Sequence, residues 1–155
     1  ASYIDPNADA RDQIDWNPEW SRRARGFATY AALRQLGRRG VAELIERTCA
    51  HAHELVTRIG ALEGAEAVWT PQINQGLVRF LDPRPGASDA DSDAGTDRII
   101  AEILASGVAF FSGTTWRSRR AMRISVCNWQ TSAEDVDLVV ACVAKVLNSA
   151  KQRRA

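Results

Sequence analysis

Between Val41 and Ile59 apolar side chains recur at every third or fourth position: Val41, Leu44, Ile45, Cys49, Ala52, Leu55, Val56 and Ile59. That period matches a helical turn and gathers these side chains into one stripe. A helix with such a stripe is stable in water only when the stripe is covered, so the chain must build a second apolar layer against it. The period changes downstream. From Ala121 to Cys127 the residues alternate, with Met122, Ile124 and Val126 on one side and Arg123, Ser125 and Cys127 on the other. That is a strand with one buried face. Helix against a half-buried sheet is the arrangement these two segments demand.

The remaining segments fit around them. Trp20 to Leu36 reads as another helix, with Trp20, Ala24, Phe27, Ala28, Ala31 and Ala32 at helical spacing and Gly37 as its stop. The short Gly37–Gly40 link implies a bend or an αα-hairpin. Short strands are predicted at Ala67–Thr70, ended by Pro71, and at Gly76–Leu81, where Val78 and Phe80 share a face. Residues 82–95 are rich in Asp, Ser, Pro and Gly and read as an exposed variable loop. Ile99, Ile100, Ile103 and Leu104 mark a helix ending at Gly107. Val108–Ser112 reads as a strand that runs into a turn at Gly113-Thr114-Thr115, before Trp116. Thr131-Ser132-Ala133-Glu134 has the form of a capping box opening a last helix, and the tail from Lys151 is expected to fray. Residues 1–19 carry turn chemistry at Asp5-Pro6-Asn7 and Asp15-Trp16-Asn17-Pro18 and no core of their own. The order helix, helix, ββαββα implies an α+β fold: a small, mainly antiparallel sheet with helices on one face.

Composition narrows the chemistry. At 155 residues the chain is one domain's length, and its net charge of +1 exerts no bulk pull on nucleic acid. Eighteen of its twenty basic residues are arginines; the lysines are Lys145 and Lys151, both on the terminal helix. A lysine Schiff base in the body of the chain is therefore excluded. Cys49, Cys127 and Cys142 are far apart and form no metal-binding spacing, so reduced, partly buried thiols are expected. His51 and His53, two apart on a helix, diverge and read as solvated. No apolar run is long enough to cross a bilayer and no leader is visible, which points to a cytoplasmic protein without a membrane partner.

Three features are candidates for function. Arg123 lies mid-strand between apolar neighbours, so it either pairs with an internal carboxylate or faces a cleft and binds an anion. Arg22, Arg23 and Arg25 crowd the start of a helix, where the dipole disfavours cations, which suggests an anionic partner. Tyr3, a phenol in a loop-like segment, could deliver a proton once that loop closes. The acids between Asp82 and Asp97 match no calcium loop and read as solvated.

An ordered set of segments carries a family resemblance. They are Ala1-Ser2-Tyr3-Ile4, Asp15-Trp16, Glu19 to Phe27, Ala31 to Gly37, Gly40 to Leu44, Asn74 to Phe80, Ser112 to Trp116, Met122 to Trp129 and Glu134 to Asp137. In this order they resemble the C-terminal part of the group II pyridoxal-phosphate-dependent decarboxylases, which include aromatic L-amino acid, histidine and glutamate decarboxylases. The likeness is strongest to the bacterial branch and covers nearly the whole chain in order, apart from the 82–95 loop.

The resemblance implies a fold of type I, the aspartate-aminotransferase-like fold. Residues 1–37 would end the large domain, with a remnant of the mobile catalytic loop and a linking helix. Residues 38–155 would form the small C-terminal domain. Family members are dimers that act on amino-acid substrates with pyridoxal 5'-phosphate as cofactor. Tyr3 aligns with the tyrosine that reprotonates the intermediate left when carbon dioxide departs. Trp20 and Ser21 align with positions that reach into the neighbouring subunit's substrate pocket. Arg123 aligns with an arginine that contacts the substrate carboxylate in glutamate-type members. The lysine that holds the cofactor, its aspartate, its stacking histidine and most phosphate ligands have no counterparts in this chain. The expectation is a segment that is inactive alone and holds no cofactor or metal. One alternative is a stand-alone ligand-binding or interaction module. Another is a nucleic-acid binder using the arginine cluster, which the near-zero net charge disfavours.

Overall fold

The computed structural model describes residues 23–153. The chain divides into two compact units, residues 1–41 and 42–155. Helix α1 is assigned to Arg25–Gly60 and belongs to both. Strands β1 (Ala65–Trp69) and β2 (Gln75–Phe80), helix α2 (Asp89–Ala105), strands β3 (Ser112–Trp116) and β4 (Arg119–Ser125) and helix α3 (Ala133–Gln152) follow in the second unit.

In the first unit, Gly37 interrupts the helix at φ 61° and ψ −178°. Only glycine visits that region without strain, because any Cβ there would clash with the backbone. It marks a kink inside α1, not the stop that the glycine alone suggested. Before it, Phe27, Tyr30, Leu33 and Leu36 all stand exposed, Phe27 by 74%.

The second unit is the α+β layer structure that the sequence demands. Its four strands form one antiparallel sheet in the order β1-β2-β4-β3. Ala52, Leu55, Val56 and Ile59 of α1 share one core with Val78, Phe80, Met122 and Ile124 of the sheet. Ile99, Ile100 and Ile103 of α2 and Val136, Val143 and Leu147 of α3 complete it. The Ala52–Ile59 part of the helical stripe and the alternating strand are thus the two sides of a single core, whereas Ile45 of the same predicted stripe is 54% exposed. Gly76 lets them approach: a Cβ there would sit 2.6 Å from Val56 Cγ2 and 2.8 Å from Pro71 Cγ.

Several predicted elements move. The acidic stretch is not a loop to residue 95; α2 begins at Asp89, capped by Ser88 and Asp91 in a reciprocal box. Its first turns lack an apolar stripe because they attach by polar contacts instead. Thr96 Oγ1 accepts from Phe80 N and donates to Phe80 O, and Ser92 Oγ accepts from Asp82 N. Residues 108–111 are not a strand, and the expected turn at Gly113-Thr114-Thr115 lies inside edge strand β3. The α3 capping box is formed by Ser132 and Asp135, one residue later than the pattern Thr131–Glu134. Lys151 does not fray; it is helical and pairs with Glu63 at 2.9 Å.

Candidate functional site

The apolar sides of the helices pack on one face of the sheet. The other face is built by the alternate positions of the same strands, and register places Trp69 beside Leu77, Leu77 beside Arg123, and Arg123 beside Ser112. Trp69 comes from β1 and Trp116 from β3, the two edge strands. Their rings nevertheless meet edge to face, 5.4 Å between centroids. Rings from opposite edges can touch only above the central strands. They roof β2 and β4 there, and Leu77 on this outer face becomes buried.

Two concavities flank the tryptophan pair. One, of about 240 Å³, is lined by Trp69, Gln75, Gly76, Leu77, Trp116 and Arg123. The other, of about 390 Å³, is lined by Glu66, Val68, Ala121 and Trp116 together with Arg117, Arg119 and Arg120 of the β3–β4 hairpin. An indole wall with a guanidinium at its side offers apolar contact for a flat group and two N–H donors for a carboxylate.

Arg123 is exposed on this face, and no carboxylate pairs with it among the described residues. Of its two predicted settings, the cleft is the one the fold provides. Its apolar sequence neighbours Met122 and Ile124 belong to the opposite, buried face, so the charge remains in water. Tyr3, Trp20 and Ser21 lie outside the described residues.

The buried arginine is a different one. Arg79 is 2% exposed, and its guanidinium donates to Asp89 Oδ1 at 2.9 Å, Asp89 O at 2.9 Å and Asp93 Oδ1 at 3.0 Å. Its Nε is buried without an acceptor. Arg120 joins the same network through its backbone N–H to Asp93 and its side chain to Asp97 at 2.7 Å. The acids read as solvated are therefore partly the anchors of α2. Hydrogen bonding to Arg79, with the charge of Arg119 second, holds the Asp89 carboxyl below its ordinary range. Sequence reasoning passed over Arg79 because Arg79 and Arg123 look alike in sequence, each mid-strand among apolar residues. The acidic run ten residues on was the available signal.

The other predicted features separate. His51 is half-buried with its Nε2 unpartnered and is not a solvated histidine; His53 is exposed. All three cysteines are free, and Cys127 is exposed. Among the described residues no three metal-ligating side chains gather, and no helix is long and apolar enough to cross a membrane.

The described residues do not fit pyridoxal phosphate. Lys145 is exposed on α3, and Lys151 is paired with Glu63. The pocket to which Lys151 contributes measures about 40 Å³, roughly the space of a water molecule and far below a cofactor's need. Neither outer-face concavity has a lysine in its lining.

Neither a protein-family model nor a curated protein sequence matches the chain. Solved structures do match its fold. Oryza sativa TDC with PLP and tryptamine superposes over 89% of this chain with a TM-score of 0.75 at 20% identity. Catharanthus roseus tryptophan decarboxylase in complex with L-tryptophan covers 87% of it with a TM-score of 0.72 at 16% identity. Mouse CSAD covers 87% with a TM-score of 0.74 at 18% identity. The chain spans 29%, 28% and 30% of those proteins respectively. The four-stranded sheet with its helices is the fold of the C-terminal domain of PLP decarboxylases.

Proposed function

We propose that this chain is the C-terminal part of a pyridoxal-phosphate-dependent amino-acid decarboxylase, a carboxy-lyase that releases carbon dioxide from an L-amino acid. The observation that carries the reading is the match of 89% of the chain to less than a third of a solved structure that contains PLP. In this reading residues 1–37 end the cofactor-binding domain and residues 38–155 are the small domain of a cytoplasmic homodimer. Tyr3 serves as the catalytic proton donor, and Trp20 and Ser21 border the partner's substrate pocket. Arg123 holds the substrate carboxylate, a role its exposed guanidinium beside Trp69 and Trp116 can perform.

The chain by itself is inactive in this proposal, because the lysine that must bind the cofactor is not among its residues. The test is to incubate the purified chain with pyridoxal phosphate and remove the excess. Retained cofactor absorbance and carbon dioxide release from L-amino acids are then measured. Neither is expected from the chain alone. Both are expected after co-expression with a polypeptide that carries the lysine, and Arg123→Met should then raise KM more than it lowers kcat. Cofactor retained by the isolated chain, with turnover, would refute the proposal.

A further inference from the structure

The β3–β4 hairpin turns on two residues, Arg117 and Ser118, with φ of 48° and 64°. Two-residue hairpins of this hand favour Asn-Gly, because both positions need positive φ. An L-residue with a larger side chain is strained at such a position, since its Cβ crowds the following carbonyl oxygen. The turn itself gains nothing from arginine. What the hairpin gains is a guanidinium held over the Trp116 ring, 5.7 Å from its centroid. No carboxylate pairs with Arg117 among the described residues.

Arg119, the next outward-facing residue, is loosely matched as well. It reaches Asp89 only at 3.5 Å, while Arg79 holds the same carboxylate at 2.9 Å. Arg120 faces away to Asp97 and closes the wall. The concavity of about 390 Å³ is thus bordered by two guanidiniums with spare donors, an indole and Glu66. Its volume is at the lower end for small-molecule sites.

We propose that this hairpin tip is a binding site for a small ligand carrying a phosphate or carboxylate group, clamped by Arg117 and Arg119 beside Trp116. The strained turn is retained because it aims Arg117 at that ligand, at the expense of stability. Glu66 on the facing wall opposes the anion and limits affinity. The inference does not rest on the decarboxylase reading, since neither Arg123 nor a cofactor takes part in it.

Calorimetric titration of the 155-residue chain at low salt with pyrophosphate, and separately with succinate, tests it. Saturable binding of at least one probe is expected, with a Kd of about 0.1–1 mM. Saturation by pyrophosphate alone assigns a phosphate ligand, and by succinate alone a carboxylate. Arg117→Asn should weaken binding about tenfold while raising the thermal midpoint, since asparagine tolerates the positive φ. Arg119→Gln, outside the strained turn, should weaken it too, and Glu66→Gln should tighten it several-fold. A role in folding alone would not separate stability and affinity in opposite directions. Absence of binding of both probes up to about 10 mM, or unchanged affinity in Arg117→Asn, would overturn the proposal.

Discussion

Replacing Arg79 tests the claim that α2 is fastened to the sheet by charge. The wild-type guanidinium makes three hydrogen bonds, two to carboxylates and one to the Asp89 carbonyl. At about 1.5 kcal/mol each they contribute roughly 4–5 kcal/mol. Against that stand the desolvation of a buried cation, several kcal/mol, and the unsatisfied Nε. In Arg79→Met the aliphatic packing stays while both penalties vanish. Asp89, with a side chain 64% exposed, can rehydrate, and Asp93 keeps the Arg120 N–H. The net loss should be about 1–2 kcal/mol. Arg79→Ala also empties the volume of the buried stem, which raises the loss to about 3–4 kcal/mol. Urea unfolding of both variants at constant m-value measures the two losses. Hydrogen exchange should show the first turns of α2 opening before the rest of the helix. If Arg79→Ala loses under about 0.5 kcal/mol, or Arg79→Met costs as much as Arg79→Ala, the network does not anchor α2.

Other perturbations probe other joints of the fold. Gly76→Ala should cost about 1–3 kcal/mol, because the new Cβ meets Val56 Cγ2 and Pro71 Cγ inside 3 Å; an unchanged thermal midpoint would show that the α1–sheet contact yields freely. Ser132→Ala removes the acceptor for Asp135 N and should cost about 1 kcal/mol, read by urea unfolding. Acid should also weaken the fold. Hydrogen bonding to Arg79 lowers the Asp89 carboxyl, the Ser88 hydroxyl lowers Asp91, and the backbone N–H of Glu134 lowers Glu134. A carboxyl lowered on folding stabilises the fold above its ordinary value, 3.8 for aspartate and 4.5 for glutamate, and loses that contribution as pH falls through the lowered value. The urea midpoint should therefore be flat near neutrality and fall below about pH 4, less steeply in Asp91→Asn; equal slopes in the two proteins would refute the assignment.

Much of the architecture could be read from one dimension because its causes are local. The stripe from Ala52 to Ile59 and the alternation through Met122, Ile124 and Val126 report burial directly, and both sets lie in the core. The start of α2 escaped because its inner side carries Ser92, Thr96 and two aspartates that bind Arg79. A helix that docks through hydrogen bonds leaves no apolar period to detect. Strand β3 escaped for a related reason. It is an edge strand with polar residues on both sides, while the more apolar residues 108–111 beside it leave Phe110 77% exposed. Of the candidate site, only Arg123 was legible within the described residues. The tryptophan roof and the hairpin arginines were not, since Trp69 and Trp116 are forty-seven residues apart and meet only across the sheet.

Fold class, the antiparallel character of the sheet and the lack of a cofactor lysine in these residues follow from the chain alone, because periodicity and composition are properties of the chain. Which arginine is buried does not follow from it; tertiary packing settles that. Arg79 and Arg123 stand on adjacent strands with similar neighbours, yet Arg79 meets the first turn of α2 and Arg123 meets water. The difference lies in what packs against each position, and the energy of a charge depends on its surroundings far more than on its place in the chain.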